Sequence, residues 1–268
     1  MEVRGLANPG AALAPIAWDA PWLDSLRALR PLLQADDWRT TLSEEACRRG
    51  VRSGEGRTIE FVAGAAGAQT PYELFIAQTG QVPTRDNQHD LFNALIWLTY
   101  PRAKAALNAR QAAEIRRSGV GPVRGPVRDA ATLIDESALL LLCNDAQVIT
   151  ALREHDWQRL LIDWRARWGR DIIALAFGHA LLEKLSGPFK AITAAVVPLP
   201  FRSDADNAAA EFIARPGLAP ALLPHLPVLG IPGWCPANAD PRFYADSLVF
   251  RPHREAKRID ADHADHAD

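Results

Sequence analysis

The sequence predicts a helix-dominated α+β fold with a small, mainly antiparallel sheet and a proline-rich C-terminal wrap. Three observations lead there. Long stretches repeat apolar residues at helical spacing, the β-branched and aromatic runs are few and short, and Pro216 to Pro241 carries too many prolines for regular structure. Of the 268 residues 48% are hydrophobic and 23% charged, with 32 acidic against 30 Lys plus Arg, the balance of an ordinary globular protein.

Taken in order, Pro21 to Arg49 reads as two helices. Trp22, Leu23, Leu26, Leu29, Leu32 and Leu33 share one face, and Trp38, Leu42 and Ala46 share another after Asp36 and Asp37. Thr58 to Ala63 and Tyr72 to Ala77 read as a hairpin across a Gly/Ala-rich connection, with Gly80, Pro83 and Thr84 ending the sheet. Asn87 to Tyr100 is an apolar helix, and Pro101 breaks it or opens the next one, which runs to about Ser118. After a Gly/Pro loop from Gly119 to Pro126, Thr132 to Ile134 and Ala138 to Cys143 read as a second hairpin turning at Asp135-Glu136-Ser137. Val148 to Trp168 and Asp171 to Leu185 read as helices, Lys190 to Val197 as a strand and Asp204 to Ala214 as the last helix.

This organisation suggests a single globular domain over residues 18–252, preceded by an extension (1–17) and followed by a low-complexity, disordered tail (253–268) whose His263 and His266 are solvated rather than ligating. The composition excludes a disordered chain and a polybasic nucleic-acid binder. The most apolar run, Ile172 to Leu185, is interrupted by His179, Glu183 and Lys184, so no membrane span is expected. The first residues make a poor signal peptide, and Cys47, Cys143 and Cys235 are odd in number and widely spaced. A cytoplasmic location follows as the expectation.

Chemistry concentrates between Pro83 and Trp97. Seven consecutive polar side chains, Thr84 to Asp90, precede an apolar helix. A helix starting near Asn87 places His89 and Asn93 four residues apart with Asp90 between them, so an imidazole, a carboxylate and an amide can face one cavity. Capping by Asp86 or Asn87 accounts for one or two of these groups but does not call for Arg85, His89, Asp90 and Asn93 together. The candidate catalytic set is therefore His89 as ligand or general base, Asp90 as ligand or orienter, Arg85 as anion clamp, and Asn93. His179 and Glu183, also four apart, either bond each other, face solvent, or join His89 and Asp90 around a divalent metal, the cofactor such donors would hold. A shared site requires His89 and His179 to lie within about 10 Å of each other.

The stretch from Pro101 to Ala130 holds seven Lys or Arg (Arg102, Lys104, Arg110, Arg116, Arg117, Arg124, Arg128) against Glu114 and Asp129. It is compatible with a nucleic acid or another phosphate-bearing partner, although the aromatic residues of a single-strand binding face are missing. No glycine-rich dinucleotide or nucleoside-triphosphate loop and no Gly-x-Ser-x-Gly elbow occurs.

Pro83-Thr84-Arg85-Asp86-Asn87-Gln88-His89-Asp90-Leu91-Phe92-Asn93-Ala94-Leu95-Ile96-Trp97, followed by Pro101-Arg102-Ala103-Lys104 and Leu107-Asn108, resembles the bacterial family called domain of unknown function 3025. Arg128-Asp129, Thr132 to Glu136, Phe177 to Glu183 and Leu229 to Trp234 are similar to its later blocks, so the likeness runs from about Trp18 to Arg251. The resemblance implies one domain and assigns no activity. Asp86, Asn87, Trp97 and Asn108, from the same blocks, take supporting positions. Two functional expectations result. One is a metal-assisted hydrolase or small-ligand site around Arg85 to Asn93. The other is a non-catalytic binding or scaffolding protein that uses the basic helix 102–117 and the proline-rich wrap as contact surfaces.

Overall fold

The computed structural model describes residues 15–64, 70–119, 125–202 and 204–252. The tail with His263 and His266, the extension up to residue 14, and Arg124 of the basic stretch lie outside the described residues.

Pro21–Leu23 and Arg27–Gln34 are 3-10 turns rather than the α-helix expected there, Pro31 falling within the second. Asp37 then caps α1 (Trp38–Arg49), accepting a bond from the Thr40 N–H, and Gly50 ends it in the left-handed conformation (φ 66°) that glycine adopts without strain. β1 (Glu60–Val62), α2 (Tyr72–Thr79) and β2 (Gln81–Pro83) form a strand–helix–strand unit, with Glu60 opposite Gln81 and Val62 opposite Pro83 in parallel register. The expected first hairpin is therefore overturned, as is the reading of Gly80 and Pro83 as the end of the sheet. Pro71 precedes the helix and Gly80 closes it at φ 79°, and these boundary signals outweigh the β-propensity of Tyr72, Phe75 and Ile76.

α3 (Gln88–Thr99) begins where Asn87 accepts the Asp90 N–H at 2.7 Å. Every residue from Asp90 to Leu98 is buried, so this helix runs through the middle of the molecule. Pro101 opens α4 (Pro101–Ser118), filling the first-turn position where its missing N–H costs nothing. α5 (Pro126–Ser137) runs straight into β3 (Ala138–Leu142), which replaces the second expected hairpin: Pro126 and Asp129 start a helix that lasts until Ser137. The helix expected over Val148 to Trp168 is instead α6 (Ala146–Arg153) followed by a π-helical stretch at Gln158–Asp163 and a short 3-10 turn.

The helix expected over Asp171 to Leu185 divides into β4 (Ile173–Ala176) and α7 (His179–Leu185) at Phe177-Gly178. A side chain at Gly178 would lie 2.5 Å from the Glu136 carbonyl oxygen and from the Ser137 and Ala138 nitrogens, so only glycine allows this approach. β5 (Thr193–Leu199), α8 (Ala205–Ala214) with its Asp204 cap, and β6 (His225–Pro227) complete the fold.

The larger sheet has the order β4-β3-β5-β6, antiparallel at its two outer pairs and parallel between β3 and β5. Its second strand, β3, is apolar and buried along its whole length, as a strand covered on both faces must be. One continuous hydrophobic core runs from Leu23 to Phe250. The proline-rich wrap joins that core through Leu226, Val228, Leu229 and Trp234, and Asn238 anchors it by donating to the Leu229 and Ile231 carbonyls. No described helix is long and apolar enough to cross a membrane, and all three cysteines are free.

Candidate metal centre

Packing of α3 against α7 brings together residues that are 90 apart in sequence. The His89 and His179 rings meet edge to face with centroids 4.4 Å apart, and their Nε2 atoms are separated by 3.1 Å. The two histidines thus lie well inside the separation of about 10 Å that a shared site requires. The end of α5 adds Glu136, whose Oε2 lies 3.5 Å from His179 Nε2. One donor atom from each of His89, Glu136 and His179 falls within 4.8 Å of the others.

Glu183 occupies a different position. Its carboxylate lies 2.8 Å from His89 Nδ1, on the side of the ring away from His179. An ionised carboxylate only accepts, so it fixes the His89 proton on Nδ1 and turns the Nε2 lone pair toward His179 and Glu136. Glu183 orients the ring and does not join the converging donors.

Asp90 is likewise turned elsewhere. Its Oδ2 accepts from the Arg85 backbone N–H at 2.7 Å and Nε at 2.9 Å, and its Oδ1 from Nη2 at 3.1 Å. Burial alone would raise the Asp90 pKa, but these bonds from Arg85 hold it below the ordinary carboxylate value. Asn93 donates to the Tyr72 hydroxyl at 3.1 Å and accepts from Lys104 Nζ at 2.9 Å.

Lys104 is buried, pairs with Asp135, and stands 5.2 Å over the Trp97 ring. Burial works to raise Asp135, but the Lys104 ammonium paired with it keeps its carboxyl below the usual range. Asn108 accepts the Gly54 N–H at 3.0 Å and donates to both the carbonyl and the carboxylate of Glu73. Burial, followed by the charge of Asp135, pushes Glu73 up to about 7. Asp86 stands apart on the surface, paired with Arg39.

Tyr72, Glu73, Arg85, Asn93 and Asp135 line the same cavity of about 330 Å³ as His89, Glu136 and His179. His179 is buried, which drives its pKa down to about 4 and keeps the imidazole neutral, the form that offers a lone pair. Burial and the adjacent Asp135 raise Glu136 above its ordinary value. Two imidazoles and a carboxylate with donor atoms gathered at one point form a donor set suited to a borderline divalent cation such as zinc.

Sequence reasoning missed Glu136, Asp135, Lys104, Tyr72 and Glu73. Glu136 and Asp135 were assigned to a turn, and Tyr72 and Glu73 to a strand. The helix-start signals at Pro126 with Asp129, and at Pro71, point to them instead. The positive stretch disperses in the same way. Arg102 pairs with Asp204, Arg110 donates to the Arg215 carbonyl, Arg116 meets Glu55, Arg117 meets Glu114, and Lys104 is buried. Each of these four arginines meets its own neighbour, and Lys104 turns inward.

No curated protein and no solved structure matches the chain. A family model described as "Protein of unknown function (DUF3025)" matches residues 59–254, a span that holds His89, Glu136, His179 and the other cavity-lining residues, and the chain belongs to that family.

Proposed function

We propose that this protein is a metal-assisted hydrolase whose divalent ion is held by His89, Glu136 and His179. One observation carries the reading. The His179 Nε2 distances of 3.1 Å to His89 Nε2 and 3.5 Å to Glu136 Oε2 bracket the roughly 3.3 Å edge of a tetrahedron whose nitrogen and oxygen donors stand about 2.0–2.2 Å from zinc. The Glu183 contact supports it, because a carboxylate behind a ligating imidazole fixes both tautomer and ring direction. The 3.1 Å contact between the two Nε2 atoms requires a proton or a cation between them, since bare lone pairs at that distance would repel.

Three protein ligands would leave one of four tetrahedral positions to water or substrate, as in catalytic rather than structural zinc sites. An ion bound there supplies Lewis acidity and a water whose pKa falls to about 7. Glu73, on the same cavity and raised to about 7, is matched to exchanging a proton at neutral pH, with Asn108 fixing its carboxylate.

Titration of zinc and manganese into the full-length, chelator-treated chain tests the reading. One ion per chain is expected, with affinity falling about a hundredfold or more in Glu136→Gln, since a carboxylate that touches the ion should matter more than one that only orients a ligand, whose loss costs about 10–100-fold. Failure of the wild-type chain to take up either ion overturns the proposal.

A further inference from the structure

We infer that the molecule processed in this cavity carries an oxyanion, a carboxylate or a phosphate, which docks on the end of the Arg85 guanidinium. The inference rests on the hydrolase reading for what happens at the metal, and on Arg85 for what the substrate must present. A guanidinium has two edges that each offer a pair of parallel N–H groups. Asp90 takes the side edge, Nε with Nη2, at 2.9 and 3.1 Å. The end edge, formed by Nη1 and the outward Nη2 hydrogen, has no partner among the described residues.

Asp90 also fixes the direction of that edge. It holds the Arg85 backbone N–H as well as the side chain, and its own N–H is tied to the Asn87 cap. An arginine clamped in this way has given up its rotamer freedom before any ligand arrives. Its side chain nonetheless remains 63% exposed and lines the cavity that also holds His89, Glu136 and His179. Lys104, the cation behind the lining residues Asn93 and Asp135, is spent on those two with its side chain 4% exposed. An anion entering the cavity therefore meets Arg85. At about 330 Å³ the space lies at the small end of ligand pockets, which suits a compact metabolite rather than a polymer.

The test is calorimetric titration of inorganic phosphate and, separately, of malonate into the full-length chain. Wild type, Arg85→Met and Arg85→Lys are compared, each zinc-loaded and each chelated. Zinc affinity should be the same in all three. Affinity for one of the two anions should fall about ten- to a hundredfold in Arg85→Met, the range expected for losing a charge-assisted pair of hydrogen bonds, and by less in Arg85→Lys. Whichever anion shows that dependence identifies the chemical source. Equal binding by wild type and Arg85→Met, or no binding of either anion to wild type, overturns the inference. If the wild type takes up no zinc while its chelated form still binds an anion through Arg85, the hydrolase reading fails and this inference stands.

Discussion

Asp135 and Glu136 are adjacent residues at the end of α5, yet they serve two different polar regions. Asp135 faces the floor, where Lys104 and Asn93 close a buried network and the ammonium is matched by a carboxylate, an amide oxygen and the Trp97 ring. Glu136 faces the cavity, where the groups opposite it are two imidazoles, one of them held neutral by burial. The floor balances its charges internally. The cavity wall instead gathers lone pairs at one point. The contrast separates a network that maintains the fold from one arranged to receive a ligand, and substitutions on the two sides should differ in kind.

The largest effect is expected on the floor. Lys104→Met leaves Asp135 buried without its counter-charge, a loss of about 3–5 kcal/mol in unfolding free energy, and adding Asp135→Asn should restore most of it. Urea unfolding of the two variants measures this, and a single variant as stable as wild type would erase the distinction. Next comes a pH dependence in the chelated chain. Burial lowers His179 from 6.5 to about 4, so between those values the unfolded chain takes up a proton that the folded chain refuses. Stability therefore falls as pH drops through that window, by up to about 3 kcal/mol at about 1.36 kcal/mol per pKa unit.

Glu73 gives the opposite slope. Raised from 4.5 to about 7, it keeps its proton in the folded chain while the unfolded chain releases it, so stability falls as pH rises across that interval. The two partly cancel in wild type. Unfolding curves from pH 4 to 7 should slope upward with pH in Glu73→Gln and downward in His179→Gln, and parallel curves for the two variants would remove the assignment. The smallest effect is expected behind the wall. Glu183→Gln should weaken zinc binding about 10- to 100-fold while leaving unfolding unchanged, because this carboxylate orients His89 from an exposed position.

The fold class, the helices α1, α3, α4 and α8, and two of the three converging donors were legible in the sequence. The Asn87 cap, the apolar run behind it and Pro101 at the head of α4 are local signals, and each acts where it was read. His89 and His179 were both singled out, although the second was placed on a long helix that is in fact β4, a glycine and α7. Glu136 was hidden because Asp-Glu-Ser between two apolar runs has the composition of a turn. What overrides composition there is tertiary: β3 pairs on both sides, and the Ala138 carbonyl, next after Ser137, accepts the Phe177 and Gly178 N–H groups. Lys104 was counted with a positive face for the same reason, since its helix carries charge all along and only the buried carboxylate beneath it shows which basic residue turns inward.

Gly178 has a consequence beyond its own packing. Because its α-carbon sits where the chain passes from α5 into β3, the separation of the His179 and Glu136 backbones, from which the two side chains reach toward each other, is set by backbone resting on backbone. The junction works as a mechanical gauge. A single methyl group at 178 would act as a shim, parting α7 from the end of α5 and widening the gap between two donors without altering either of them.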